Sequence, residues 1–88
     1  MLTLSGELDL ANSKALEHEL LTARARVRQI TVDLRALEFI DSSGLLVLMD
    51  AERSCREHDC DLVLRRGGPN IQRLFELTST LESFCFTD

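Results

Sequence analysis

The sequence predicts an α/β domain with one small, largely parallel sheet, in the order βαβαβαβ, whose helices pack on one face. Segments in which apolar and polar residues alternate are followed by segments with apolar residues at helical spacing. Such an order requires crossover helices and parallel strands with right-handed connections. In the first two strands only alternate positions are apolar. Helices on a single face therefore suffice to cover the sheet.

The first strand is predicted from Leu2 to about Leu8 because leucines alternate with polar residues there. Asn12 or Ser13 can cap the helix that follows. The residues on the apolar side of the strand are Leu2, Leu4, Gly6, Leu8 and Leu10, and those on the apolar stripe of the helix are Leu16, Leu20, Ala23 and Val27.

The remaining elements follow by the same criteria. A second strand carries Ile30, Val32 and Leu34, and a second helix extends from two adjacent serines to about His58. The third strand is Asp61 to Arg65, and Pro69 suits the first position of a third helix. That helix is predicted to bury Ile71, Leu74 and Phe75, and Phe84 and Phe86 alternate in a last short strand.

Length and composition restrict the class of protein. The chain has 88 residues, which is enough for one domain (1–88) and too few for two. Its net charge of -5 disfavours a nucleic-acid partner, which would require a concentrated basic face. No apolar run approaches the roughly 18 residues of a membrane span, and the start does not resemble a signal peptide. We therefore expect a cytoplasmic protein without membrane or nucleic-acid partners.

The cysteines and histidines do not form a recognised metal-binding pattern. Cys55, Cys60 and Cys85 are expected to be reduced thiols that act as small hydrophobic residues. His18 and His58 do not lie at zinc-finger spacing from these cysteines. We expect neither a metal nor a cofactor.

The segment Asp41-Ser42-Ser43-Gly44 lies where the strand pattern ends and the second helix begins. Serine is a favoured N-cap, and capping alone would account for one of the two serines. A phosphate here would be stabilised by the helix dipole and by free backbone N–H groups. It would add about -1.5 to -2 charge without melting the helix.

The second helix has more apolar residues than one face requires. Its predicted core face comprises Gly44, Val47, Leu48, Ala51 and Cys55. This orientation places Leu45, Leu46 and Met49 on the solvent side, beside Ser42. Such exposure can be incidental, and a small rotation would bury Leu45. Alternatively, the three residues form a patch on which a partner docks.

An enzymatic function is not predicted. The segment around Ser42 is not the G-x-S-x-G elbow of hydrolases. Neither histidine can be placed beside it as a base, and His58 is about four helical turns away. Gly67-Gly68-Pro69 lacks the lysine and the spacing of a phosphate-binding loop.

Four segments together resemble a STAS domain, the family named after sulphate transporters and anti-sigma factor antagonists. They are Gly6-Glu7-Leu8-Asp9, Val32-Asp33-Leu34, Phe39-Ile40-Asp41-Ser42-Ser43-Gly44-Leu45 and Pro69-Asn70-Ile71-Gln72-Arg73-Leu74-Phe75. The resemblance extends from about Leu2 to Phe86. With its D-S-S-G motif, the chain is most similar to the bacterial anti-sigma factor antagonists.

This resemblance implies a phosphorylation switch. In the family, the first serine of D-S-S-G is phosphorylated by the anti-sigma factor, an ATP-dependent serine kinase. That serine is Ser42 here, with Ser43 as the fallback. The unphosphorylated antagonist binds the anti-sigma factor and frees the sigma factor, and a metal-dependent serine phosphatase resets it. The implied partner-binding residues are Asp9, Asp41, Ser42, Ser43, Leu45, Leu46 and Met49, and Asp41 is expected to shape the serine loop.

The chain also differs from the family pattern. It is expected to lack the usual first strand and last helix, which would expose a sheet edge and favour either a homodimer or a shortened chain. The alternative function is that of a STAS scaffold or accessory subunit in a stress-signalling or lipid-transport assembly, without a phosphorylation switch.

Overall fold

The computed structural model describes residues 1–88, and its centre is a four-stranded sheet. The strands are β1 (Leu2–Leu8), β2 (Gln29–Ile40), β3 (Asp61–Arg65) and β4 (Cys85–Thr87). They lie in the order β1-β2-β3-β4, and every neighbouring pair is parallel. The predicted fold class and the βαβαβαβ order are thus confirmed.

The helices are α1 (Ser13–Arg24), α2 (Ser42–Glu57) and α3 (Pro69–Leu77), and a 3₁₀ turn (Leu81–Ser83) precedes β4. Each connection moves one strand further in the same direction. Right-handed crossovers then place all three helices on the same face of the sheet. The alternate side chains of β1, such as Thr3 and Ser5, are exposed on the other face.

The core lies between this helical layer and the sheet and contains eighteen buried apolar residues. Val32, Leu34 and Leu64 supply its sheet side, and Leu48 and Phe75 supply its helical side. The ring of Phe75 meets Phe84 and Phe86 edge-on, with centroids 5.4 and 5.2 Å apart. The predicted stripe of α1 is correct for Leu16 and Leu20. Val27 lies beyond the end of α1 and is exposed.

The strand β2 is longer than the sequence suggests, because it continues to Ile40. Its first half pairs with β3, and most of its length pairs with β1, ending at Leu8 opposite Ile40. Two register shifts interrupt the β1–β2 pairing, one of them next to Gly6, whose φ of 70° suits glycine. As a result β1 and β2 end side by side, and α2 begins at this edge.

Candidate functional site

The candidate site is the edge of the sheet where β1 and β2 end. The backbone N–H of Asp41 donates to the carbonyl of Leu8 at 3.1 Å. This bond fixes the start of α2 against the end of β1, directly before the β1–α1 loop, which comprises residues 9–12. The two segments that carry the G-E-L-D and D-S-S-G motifs therefore meet at one place.

Asp41, rather than a serine, is the N-cap of α2. Its Oδ1 accepts the N–H of Gly44 at 3.0 Å, and its Oδ2 accepts the N–H of Leu10 at 3.2 Å. The expectation that a serine could supply the cap is wrong. Asp41 outcompetes the serines because one carboxylate can bond to the helix and to the neighbouring loop at once.

The two serines occupy the first two helical positions, and their hydroxyls differ in exposure. Ser42 is exposed and Ser43 is half-buried. No hydrogen bond within the protein engages either hydroxyl. Since N–H groups in the first helical turn lack intrahelical acceptors, an anion attached to Ser42 would find donors there and the positive end of the helix dipole.

Gly44 allows α2 to lie directly on the end of β1. A Cβ atom at this position would come within 2.6 Å of Cγ and 2.8 Å of Cδ2 of Leu8, and within 3.0 Å of its carbonyl oxygen. The glycine of the D-S-S-G motif is thus required by close packing. It keeps the serines beside the β1–α1 loop.

The apolar residues that follow the serines are only partly exposed. Leu45 is 6% exposed and belongs to the core, Met49 is half-buried, and Leu46 is 58% exposed. The prediction that Leu45 lies on the solvent side is therefore wrong. The buried arc of α2, from Val47 to Leu45, spans about 160° because the helix packs on α1 as well as on β2 and β3.

One exposed stripe continues from the serines along α2. At about 100° per residue, Ser42, Leu46, Met49 and Arg53 point in the same direction. Beside this stripe lies an open groove of about 270 Å³, which Leu46 and Met49 line together with Phe84 of the segment before β4. Arg53 pairs with Asp50 at 2.7 Å on the same surface.

The β1–α1 loop is a hydrogen-bonded turn. The carboxylate of Asp9 accepts the N–H of Ala11 at 3.0 Å, and Asn12 Oδ1 accepts the N–H of Asp9 at 2.9 Å. Asn12 also donates to the carbonyl of Glu7 at 2.6 Å, so its side chain serves the loop and does not cap α1. Asp9 is half-buried and lies next to the start of α2, because its neighbours Leu8 and Leu10 both bond to Asp41.

Leu10 is a surface residue of this site that the sequence pattern does not reveal. The alternation of the first strand places it among the inward-facing leucines, but it lies beyond β1 and is 74% exposed. The turn-forming pair Asp9 and Asn12 was the available signal that the alternation ends at Leu8.

The surroundings of Ser42 contain no catalytic pair. His58 lies at the opposite end of α2, where its ring contacts the guanidinium of Arg24. No three His, Cys, Asp or Glu side chains come together as metal ligands. Burial raises the pKa of the Cys55 thiol to about 12, aided by a hydrogen bond with Cys60, so this thiol stays protonated and unreactive. None of the helices is both long and apolar enough to cross a membrane.

Known proteins resemble this chain over nearly its whole length. The family model described as "Mlab, STAS domain" matches residues 1–80. BtrV of Bordetella bronchiseptica, named as a candidate anti-sigma factor antagonist, is 32% identical over 82 residues, which cover 92% of this chain and 71% of BtrV.

Two solved structures share the fold. The anti-sigma factor antagonist from Mycobacterium paratuberculosis has a TM-score of 0.79 at 30% identity, over 96% of this chain and 72% of that one. The Bacillus cell fate determinant SpoIIAA in its phosphorylated form has a TM-score of 0.75 at 22% identity, over 98% of this chain and 79% of that one.

The chain therefore belongs to the STAS domain family. Within that family it is a homologue of the anti-sigma factor antagonists. This membership agrees with the prediction that the chain is not an enzyme.

Proposed function

We propose that this protein is an anti-sigma factor antagonist whose binding is switched by phosphorylation of Ser42. The observation that carries the proposal is that the Ser42 hydroxyl is exposed at the first position of α2 and is not used as a cap. Unphosphorylated, the protein binds its anti-sigma factor and frees the sigma factor. The anti-sigma factor acts as the serine kinase, a serine phosphatase resets the switch, and the exchange takes place in the cytoplasm.

The proposed docking surface surrounds Ser42. It includes Asp9 and Asp41 at the sheet edge and Leu46 and Met49 on the exposed stripe of α2. Ser43 stays the fallback phosphorylation site, although it is less exposed than Ser42. Leu45 supports this surface from the core.

Phosphorylation would change this surface without changing the fold. The added charge of about -1.5 to -2 would lie at the N-terminus of α2, where the helix dipole favours it. At the same time it would lie one helical turn from the exposed side chain of Leu46. A partner that covers Leu46 would have to desolvate the phosphate, and binding would weaken.

The test is to incubate the protein with ATP and the anti-sigma-type serine kinases encoded in the same genome, and to locate phosphate by peptide mass spectrometry. We expect one phosphate on Ser42. It should be lost in Ser42→Ala and retained in the control variant Ser43→Ala. A phosphate that forms only on residues outside the D-S-S-G segment would contradict the proposal.

A second candidate is a STAS accessory subunit in a stress-signalling or lipid-transport assembly. It is favoured by the matching family model, which is named after Mlab and not after an antagonist. Tight binding of a partner without phosphorylation of either serine would support this function over the switch.

A further inference from the structure

The candidate site exposes apolar side chains that no part of the protein covers. The backbone N–H of Leu10 bonds to the Asp41 cap, Leu46 lies about one turn into α2, and Phe39 is the last residue but one of β2 at the same edge. Leu10 is not on a loose loop, because its N–H is held by the carboxylate of Asp41 at 3.2 Å. The edge therefore displays apolar anchors on a fixed backbone, as protein-binding surfaces commonly do.

The two chain segments that carry these apolar residues also carry most of the net negative charge of the protein. Residues 2–13 and 37–49, which meet at the Asp41–Leu10 contact, contain Glu7, Asp9, Glu38 and Asp41 but neither lysine nor arginine. The rest of the chain has eleven acidic and ten basic residues. Almost all of the net charge of -5 thus lies at the candidate site.

Two arginines close in sequence to these segments are already paired with other acids. Arg35 is engaged by Asp33 at 2.8 Å, and Arg53 is engaged by Asp50 at 2.7 Å. Lys14, on the first turn of α1 just beyond the first of the two segments, is not part of any ion pair and offsets one of the four negative charges. The exposed acids Glu7 and Glu38 have no ion-pair partner.

We propose that this surface binds a protein face that has an apolar slot for Leu10 and Leu46 and a rim of lysine and arginine side chains. This inference rests on the proposed function and adds the chemistry of the partner. Attraction between the acidic edge and the basic rim speeds association. A second copy of this chain is not the occupant, because it would place two acidic edges against each other.

This charge distribution also determines how phosphorylation acts. A phosphate on Ser42 increases the negative charge of the edge, so the long-range attraction to a basic partner persists. The phosphate opposes binding only at contact, where it must lose water beside Leu46. Phosphorylation therefore weakens binding by increasing the dissociation rate, and it does not slow association.

A first experiment uses a basic probe and does not depend on the natural partner. An acetylated decalysine peptide is titrated into ¹⁵N-labelled protein, and amide chemical shifts are recorded at low and at physiological salt. We expect the largest changes in residues 7–12 and 38–49, and smaller changes at the higher salt concentration. Changes concentrated elsewhere, for example around Glu57 and Asp61, would overturn the inference.

A second experiment measures association with the serine kinase that phosphorylates Ser42. The variant Glu7→Gln/Glu38→Gln is compared by stopped flow with the matched control Glu57→Gln/Asp61→Asn, which removes the same charge at the far end of α2 and the start of β3. At low salt we expect association to slow roughly 3- to 10-fold for the first variant and to stay unchanged for the control. Equal association rates for the two variants would overturn the proposal that the partner has a basic rim.

A matched pair of variants tests the role of Leu10. Leu10→Asn should increase the dissociation rate roughly tenfold, while Leu77→Asn, which changes an equally exposed leucine on α3, should leave it unchanged. An unchanged dissociation rate for Leu10→Asn would show that this residue is not part of the interface.

If the kinase phosphorylates Ser42 but the charge and Leu10 variants bind normally, the inference fails and the proposed switch stands. If no kinase binds the wild type, the proposed function fails too.

Discussion

At the scale of single residues, the site depends on the carboxylate of Asp41. It bonds to the N–H of Gly44 in its own helix and to the N–H of Leu10 in a distant loop. The sequence predicted that a cap would lie here, but Asp41 and both serines are all favoured caps. Only the contact with Leu10, 31 positions away in sequence, distinguishes them, and a local pattern cannot show such a contact.

The first prediction concerns this cap. Asp41→Ala should lower the free energy of unfolding by about 1–2 kcal/mol, because the first turn of α2 loses its acceptor. Ser42→Ala should change it by less than about 0.5 kcal/mol, because that hydroxyl has no intramolecular partner. Urea unfolding of both variants measures the difference. Equal losses would show that Ser42 contributes to the cap.

A second prediction concerns Gly44. Gly44→Ala should destabilise the protein by about 1–3 kcal/mol, although alanine favours helices by about 1 kcal/mol, because the new methyl group would collide with Leu8. Urea unfolding also provides the check. In a Leu8→Ala background, where the side chain is gone, the same substitution should cost clearly less. An undiminished cost would exclude a collision with the Leu8 side chain as the cause.

At the scale of secondary structure, the orientation of α2 was predicted only in part. The spacing of Gly44, Val47 and Leu48 correctly located the centre of the buried face. It could not give the width of that face, which depends on how closely α1 and the sheet flank the helix. Leu45 lies at the margin of the buried arc, and tertiary packing decides its burial.

The third prediction uses Leu45 and Leu46 as a matched pair. Leu45→Asp should destabilise the protein by several kcal/mol, because it buries a carboxylate without a partner. Leu46→Asp should change stability by less than about 1 kcal/mol and should weaken partner binding. Thermal unfolding and binding measurements on both variants test this. Extensive unfolding of Leu46→Asp would contradict the orientation of α2.

At the scale of the whole molecule, most of the fold could be predicted from the sequence. The alternation of strands and helices, together with right-handed crossovers, leaves few topologies. The extension of β2 through residues 36–40 could not be predicted, because its pairing with β1 includes two register shifts that disrupt the alternation. The position of Ser42 and Ser43 at the start of α2 was predicted correctly, but the position of Leu10 was not, because its exposure depends on the turn that ends β1.

The sheet face opposite the helices supplies a prediction on pH dependence. The side chain of Asp33 is buried there, and Arg35 donates to both of its oxygens. Hydrogen bonds from the side chain and backbone of Arg35 lower the pKa of Asp33 from 3.8 to about 2. A depressed carboxyl pKa stabilises the fold fully above the unfolded value, and this contribution disappears as the pH falls through the folded value.

The fourth prediction follows from the downward shift of the Asp33 pKa. The wild type should be more stable than Arg35→Gln above about pH 4, and the difference should shrink as the pH falls towards 2. Urea midpoints measured between pH 5 and 2 provide the check. A difference that stays constant across this range would mean that Arg35 stabilises the protein by packing and not through the charge of Asp33.

The most direct test of the phosphorylation switch compares the protein with and without phosphate on Ser42, measuring affinity for the anti-sigma kinase and melting temperature on the same samples. We predict that phosphorylation weakens binding by roughly a hundredfold and shifts the melting temperature by less than about 3 °C. Unchanged affinity, or a phosphorylated protein that unfolds, would contradict a switch that acts on the surface alone.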